Sequence, residues 1–288
     1  MRALILGAGG QVGRALAATA PEGATVTALD RAACDVRDGV QVARAIAAAA
    51  PDIVFNAAAY TAVDRAESEP AEAENLNGRG PGLIAAAARA EGARLVHLSS
   101  DFVFDGTKAT PYCPDDQVSP LGAYARSKAA GEAAVAAADP AALIVRTAWV
   151  YAPEGGNFVN AMLRRMRAGG EVFVVADQLG TPTWAPGLAA ALWQLAALGA
   201  SGIHHYTDAG VASWYDFAVA IAEEGRAAGL LAQLPQVRPI ATVDYPTPAP
   251  RPTCAVLDKR QTWALLGAPA PHWRVNLRAN LEELRSHG

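Results

Sequence analysis

The chain has 288 residues, 52% of them hydrophobic and 18% charged, with a formal net charge of −4. That is enough apolar chain for a large core in one or two domains, and the charge balance points away from nucleic acid or an anionic membrane as a partner. Cys34, Cys113 and Cys254 are too few and too widely spaced for a disulfide framework or a zinc site and fit a reducing, cytoplasmic setting. The first apolar run is broken by glycine too early for a signal peptide, and none approaches the ~20 residues of a membrane span.

Residues 2–6 read as an apolar strand, followed by Gly7-Ala8-Gly9-Gly10-Gln11-Val12-Gly13 and a helical stretch over 14–20. Glycines at 7, 10 and 13 let the backbone turn tightly and approach a pyrophosphate, which then sits on the helix N-terminus beside Gln11 and Val12. The plain alternative is a tight strand-to-helix turn with no ligand. A second strand over 25–29 ends in Asp30-Arg31. Asp30 is placed to accept from ribose hydroxyls, whereas Arg31 suits a 2′-phosphate, so NADH and NADPH both stay open. Asp35 and Val36 follow and can meet the adenine.

A helix over 38–50 and a buried strand over 52–55 come next. Ala57, Ala58, Ala59 and Tyr60 at its carboxyl end let a flat ligand lie against backbone. Thr61, Val63 and Asp64 lead to a loop at 67–70 and a helix over 71–91. The strand at 94–99 ends in Ser99, Ser100 and Asp101.

Tyr124 lies four residues before Lys128, one face of a helix if the Ala-rich stretch to 138 is helical. A phenol is a poor acid at neutral pH, and a neighbouring ammonium lowers its pKa. With a Ser100 hydroxyl on the same substrate oxygen, Tyr124 and Lys128 make a general acid for a carbonyl being reduced. With seven Tyr and three Lys in the chain, chance gives about 0.07 such pairs.

A β-rich run at 142–147 leads into Ala148 and Trp149, giving six strand–helix alternations through residue 150. The expected class is α/β: a doubly wound parallel sheet over 1–150 with ligands at the strands' carboxyl ends, and a smaller lid domain over 151–288, part of which (177–206) can return to the sheet. The second half offers an amphipathic helix to 168 with Arg164, Arg165 and Arg167 outward, a strand at 171–175, helices at 188–198 and 214–228, and a Pro-rich stretch at 235–252. Arg251, between Pro250 and Pro252, suits a diphosphate or is a solvated loop residue. His204 and His205 are adjacent and point apart, so they read as a core or surface pair rather than a metal site.

The glycine turn, Ser100 and the Tyr124–Lys128 pair resemble the extended short-chain dehydrogenase/reductase superfamily, whose fold is Rossmann-like. Longer stretches at 56–70, 99–106, 120–132, 146–151, 177–183 and 213–218 are similar to the dTDP-4-dehydrorhamnose reductase family. That resemblance implies an oxidoreductase of nucleotide-sugar biosynthesis, in which NADPH or NADH reduces C4 of dTDP-4-dehydro-β-L-rhamnose. It gives Tyr124 the proton, Lys128 the nicotinamide ribose, and Ser100, where the family commonly has Thr, the ketone. Thr61, Val63, Phe102, Trp149 and Arg251 become substrate-side residues. Phe102 stands where many members have Tyr. Ala15 stands where some carry an acidic residue tied to magnesium and dimer formation, so the expectation is no metal and a monomer or weak homodimer. Two other readings remain: a reductase of another nucleotide 4-keto sugar, and a non-catalytic subunit resembling the methionine adenosyltransferase β subunit.

Overall fold

The computed structural model describes residues 1–287. Six parallel strands form its central sheet: β1 (Arg2–Leu6), β2 (Thr25–Leu29), β3 (Ile53–Asn56), β4 (Arg94–Ser100), β5 (Leu143–Thr147) and β6 (Gly202–His205), in the spatial order β6-β5-β4-β3-β1-β2. From β1 the chain moves one way to β2 and then crosses to β3 on the other side. The carboxyl ends of β1 and β3 therefore open onto the crevice where such sheets bind ligands.

Alternation along the strands divides the core between two faces. Ile5, Phe55, Val96 and Val145 face the helices Gln11–Ala18 and Ala185–Ala197. Leu4, Leu6, Val54, Leu95 and Ile144 face the opposite layer, made by the helices Gly39–Ala49, Gly80–Ala90 and Ala123–Ala138. A strand buried on both sides needs apolar residues at both phases, which is why β3 and β5 read as continuous hydrophobic runs. Trp193 locks one face: its ring meets Phe55 edge-on at 4.5 Å, and its Nε1 donates to Leu16 O at 3.0 Å. A separate core lies in the C-terminal half, where Val159, Leu163, Phe217, Ile221, Leu277 and Leu281 pack the helices Phe158–Arg167, Trp214–Ala227 and Trp273–His287 together.

Four local readings of the sequence need correction. Only five of the sheet strands precede residue 150; the sixth, β6, arrives after an excursion of more than fifty residues and pairs with β5. Residues 67–70 are not one loop, because Val63–Ser68 forms a short helix and Pro70 opens the next. The helix expected over 71–91 is interrupted by a π-helical turn at Glu74–Arg79. Here Asn77 carries tertiary bonds: Tyr60 N donates to its Oδ1 (2.8 Å), and its Nδ2 donates to Tyr60 O (2.9 Å) and Ser127 Oγ (3.1 Å). Finally, the Pro-rich stretch contains a strand, Val237–Ile240, parallel to Val172–Val175.

Candidate active site

The glycine turn follows β1 directly. Gly7 has φ +82°, and a Cβ there would lie 2.5 Å from Ala58 N; a Cβ on Gly13 would lie 2.3 Å from Gly7 O. Neither position admits a side chain. The helix beginning at Gln11 has no side-chain cap, so its first amides are left for an acceptor from outside, as an anion at a helix N-terminus requires. Gly13 lies behind this surface and acts through close packing, whereas Gly10, Gln11 and Val12 line the cleft.

Two connected hollows open above the sheet. The first, about 880 Å³, is bordered by Gly7, Gly10, Asp30, Asp35 and Val36, and on its other side by Ala57, Ala58, Ala59, Tyr60 and Thr61. Asp30 Oδ1 accepts from Ala32 N and Ala33 N, both at 3.0 Å, so its loop holds the carboxylate beside the glycine turn. Asp35 is held by Arg37, which donates from Nε at 2.9 Å; the guanidinium's hydrogen bonds keep this carboxyl low, at about 2. Arg31 and Arg65 reach the same hollow.

The second hollow, about 760 Å³, shares Gly9, Gly10, Ala57, Ala59 and Thr61 with the first. Ser99 and Ser100 reach it from the end of β4, and Tyr124 and Lys128 from one face of the helix Ala123–Ala138. Lys128 is buried, and its ammonium donates to Leu98 O at 2.7 Å; burial pulls its pKa down to about 8. The sequence led us to expect a depressed phenol at Tyr124. Instead desolvation pushes Tyr124 up to about 12, because the ammonium is committed to a backbone carbonyl while the phenol lies in an apolar setting beside Phe102, whose ring meets it edge-on at 5.6 Å. Ser100 Oγ lies 2.9 Å from Asp101 Oδ1 and accepts from Phe102 N at 3.2 Å. Asp101 is buried, and desolvation raises its carboxyl to about 7.

The C-terminal half supplies the facing wall. Trp149 adopts φ +45°, a left-handed conformation that costs an aromatic residue on the order of 1–3 kcal/mol. Its indole stacks on Trp214 with centroids 3.5 Å apart and planes 9° apart, and its edge covers Gly180. Val63 and Arg251 complete the lining. Arg251 is not a free loop cation: it makes a bidentate pair with Asp64, and its Nη1 also donates to Thr247 Oγ1 (2.6 Å) and Ala249 O (2.9 Å).

A hydride donor's dinucleotide fits this glycine cradle and its flanking hollow, and the second hollow leaves a carbonyl compound room beside Tyr124. The sequence matches the RmlD substrate binding domain family over residues 1–286. It is 42% identical over 297 residues to a dTDP-4-dehydrorhamnose reductase of Burkholderia thailandensis, covering 99% of this chain and 100% of that protein. The chain belongs to the dTDP-4-dehydrorhamnose reductase family. Its fold is similar to a crystal structure of a dTDP-4-dehydrorhamnose reductase from Clostridium acetobutylicum, with TM-score 0.93, 36% identity, and coverage of 99% of this chain and 100% of that one. A Bacillus anthracis dTDP-4-dehydrorhamnose reductase solved in complex with NADP gives TM-score 0.92 and 32% identity, with coverage of 98% and 99%.

Within this reductase family member, Asp101, Trp214 and Arg14 are among the lining residues that escaped the sequence reading. Asp101 adjoins Ser100 and was passed over as part of a polar strand end. Trp214 read only as the start of an amphipathic helix. Arg14, one turn into the first helix, donates to Gly9 O and pairs with Glu154 at 3.4 Å, a contact with the second half that nothing local announces. Among the described residues no three His, Cys, Asp or Glu side chains group closely enough to hold a metal ion, and no helix is long and apolar enough to cross a membrane.

Proposed function

We propose that the protein reduces the C4 ketone of dTDP-4-dehydro-β-L-rhamnose to dTDP-L-rhamnose, with NADPH or NADH as reductant. The observation that carries this reading is the meeting of Ser100, Tyr124 and Lys128 in a hollow continuous with the glycine-turn site, in a chain of this family. A reduced nicotinamide bound there supplies the hydride. The chain's own residues do the rest. The amides at Gln11 and Val12 and the glycine surface take the pyrophosphate, and Asp30 takes the adenosine ribose. Lys128 presents its ammonium to the nicotinamide ribose.

Tyr124 and Ser100 both aim at the substrate's C4 oxygen. As the new C–H bond forms, the carbonyl π pair moves onto that oxygen, and Tyr124 gives it the Oη proton, leaving a C4 hydroxyl and a tyrosinate. The tyrosinate is costly in this buried setting, so Ser100 and the Lys128 charge matter most at this moment. Thr61, Val63, Phe102 and the Trp149 ring flank the sugar, and Arg251 receives the diphosphate with the guanidinium hydrogens that Asp64, Thr247 and Ala249 leave uncommitted. The protein works as a cytoplasmic monomer or weak homodimer.

The test is oxidation of NADPH or NADH by the purified protein on addition of dTDP-4-dehydro-β-L-rhamnose, with the sugar product identified by mass and NMR. One reductant consumed per dTDP-L-rhamnose formed supports the reading. Oxidation seen only with a different nucleotide keto-sugar would replace the substrate, and none with any would remove the catalytic assignment.

A further inference from the structure

Ser100 has one hydroxyl hydrogen and two lone pairs to share. The Phe102 amide occupies one lone pair, at 3.2 Å. The remaining contacts are Asp101 Oδ1, 2.9 Å away, and the Tyr124 hydroxyl, which faces the cleft. If Asp101 is a carboxylate, it takes the only hydrogen that Ser100 owns, and nothing is left to point at a ketone oxygen. If Asp101 is a carboxylic acid, the hydrogen in that contact comes from Asp101. Ser100 then receives it on its second lone pair and keeps its own hydrogen for the cleft. The two arrangements have the same heavy-atom geometry and opposite chemistry.

The surroundings of Asp101 favour the acid. The residue is 2% exposed, and its Oδ2 has no hydrogen-bond partner. Among the described residues no Lys, Arg or His forms an ion pair with it, which is what a buried carboxylate would need. The titratable groups that line the same hollow are Tyr124 and Lys128 on the helix packed against it, Arg251 on the C-terminal wall and Arg14 on the first helix. Tyr124 is neutral, Lys128 directs its ammonium to Leu98 O rather than to Asp101, Arg251 is matched by Asp64, and Arg14 by Glu154. Desolvation accordingly raises the carboxyl to about 7.

We propose that Asp101 is a positioning residue that acts as a neutral acid, its hydrogen bond to Ser100 turning the Ser100 hydroxyl toward the substrate's carbonyl oxygen. No bond is made or broken at Asp101; Tyr124 still delivers the proton. The proposal rests on the reductase reading and adds a requirement: Ser100 is competent only while Asp101 is protonated, so turnover falls as pH rises through neutrality.

The test is the pH profile of kcat for wild type, Asp101→Asn and Asp101→Ala, together with a titration that needs no substrate. An asparagine amide donates to Ser100 at every pH. Asp101→Asn should keep kcat within about threefold of wild type near pH 6 and lose the part of the alkaline fall that begins near neutrality, leaving only the later fall from Lys128, whereas Asp101→Ala should lose about tenfold or more, as expected for a donor serving a developing oxyanion. In a Ser100→Ala background the Asp101→Ala loss should vanish, because the two residues act in series. Independently, an infrared difference between wild type and Asp101→Asn should show a protonated carboxyl at about pH 6 that fades near neutrality. Absence of that band at about pH 6, or an Asp101→Asn profile that keeps the wild-type fall near neutrality, overturns the proposal. A wild-type protein that titrates as described but never turns over substrate overturns the reductase reading instead, and the role of Asp101 with it.

Discussion

Asp64 and Arg251 are 187 residues apart in sequence and meet as a bidentate pair, Nη1 to Oδ1 and Nη2 to Oδ2, both at 2.9 Å. The contact joins the short helix after β3 to the Pro-rich loop of the C-terminal half, across the mouth of the cleft. A guanidinium held on one edge has its plane fixed, so its remaining hydrogens point in a set direction.

Asp64→Asn should therefore raise KM several-fold with kcat little changed, and Arg251→Ala should raise KM by about 10- to 100-fold, the range for a charge-assisted bond lost from a binding site. Steady-state kinetics on the two variants separates the cases. A lower kcat at unchanged KM would move Arg251 from holding the nucleotide to the chemical step.

Gly180→Ala tests the Trp149 wall. The added Cβ would lie 2.6 Å from Trp149 Cε2, with backbone on one side and the Trp214 ring behind the indole. Trp149 must move, and its strained φ of +45° leaves little reason for it to return to the same place. The expected result is a KM raised about tenfold in a protein that still folds, with altered tryptophan fluorescence; overpacking of this kind typically costs ~1–3 kcal/mol. An unchanged KM would take the indole out of substrate contact.

His205 supplies a pH dependence of stability. It is fully buried, and desolvation followed by the Arg146 charge lowers its pKa to about 3. The folded value lies below the unfolded ~6.5, so between those two pH values the unfolded chain binds more protons, and stability falls as pH falls, by up to about 1.4 kcal/mol per pH unit. Asp101 and Asp208, both raised to about 7, act with the opposite sign: the folded state holds their protons longer, and stability rises as pH falls from 7 toward the unfolded carboxylate range. The diagnostic quantity is therefore the difference in Tm between wild type and His205→Gln, which should shrink from pH 7 to pH 5. A constant difference would mean that His205 takes up its proton at the same pH in the folded protein as in the unfolded chain.

Local patterns in the sequence announced the parts of this site that are built locally. Short continuous apolar runs marked the strands, the spacing from Gly7 to Gly13 marked the turn, and the four-residue step from Tyr124 to Lys128 marked one helix face. What stayed hidden depends on contacts between distant segments. The Asp64–Arg251 pair and the stacking of Trp149 on Trp214 have no short-range signal, whereas the return of β6 falls inside the 177–206 stretch that the sequence left free to rejoin the sheet. The π-helical turn at Glu74–Arg79 is set by packing: a Cβ on Gly131 would lie 2.0 Å from Asn77 O, so the two helices touch backbone to backbone. The ionisation of Tyr124 also misled the reading. The spacing suggested a lowering by Lys128, but the tertiary structure sends that ammonium to Leu98 O and leaves desolvation as the largest influence on the phenol.

The most direct test of the account is the turnover of Tyr124→Phe against wild type, with dTDP-4-dehydro-β-L-rhamnose and saturating NADPH or NADH, alongside cofactor affinity by fluorescence. The account predicts a folded variant that binds the cofactor as wild type does and loses about 10²–10⁴-fold in kcat, the contribution of a positioned general acid. Wild-type turnover in Tyr124→Phe would contradict it, and the proton would have to come from another group in the cleft.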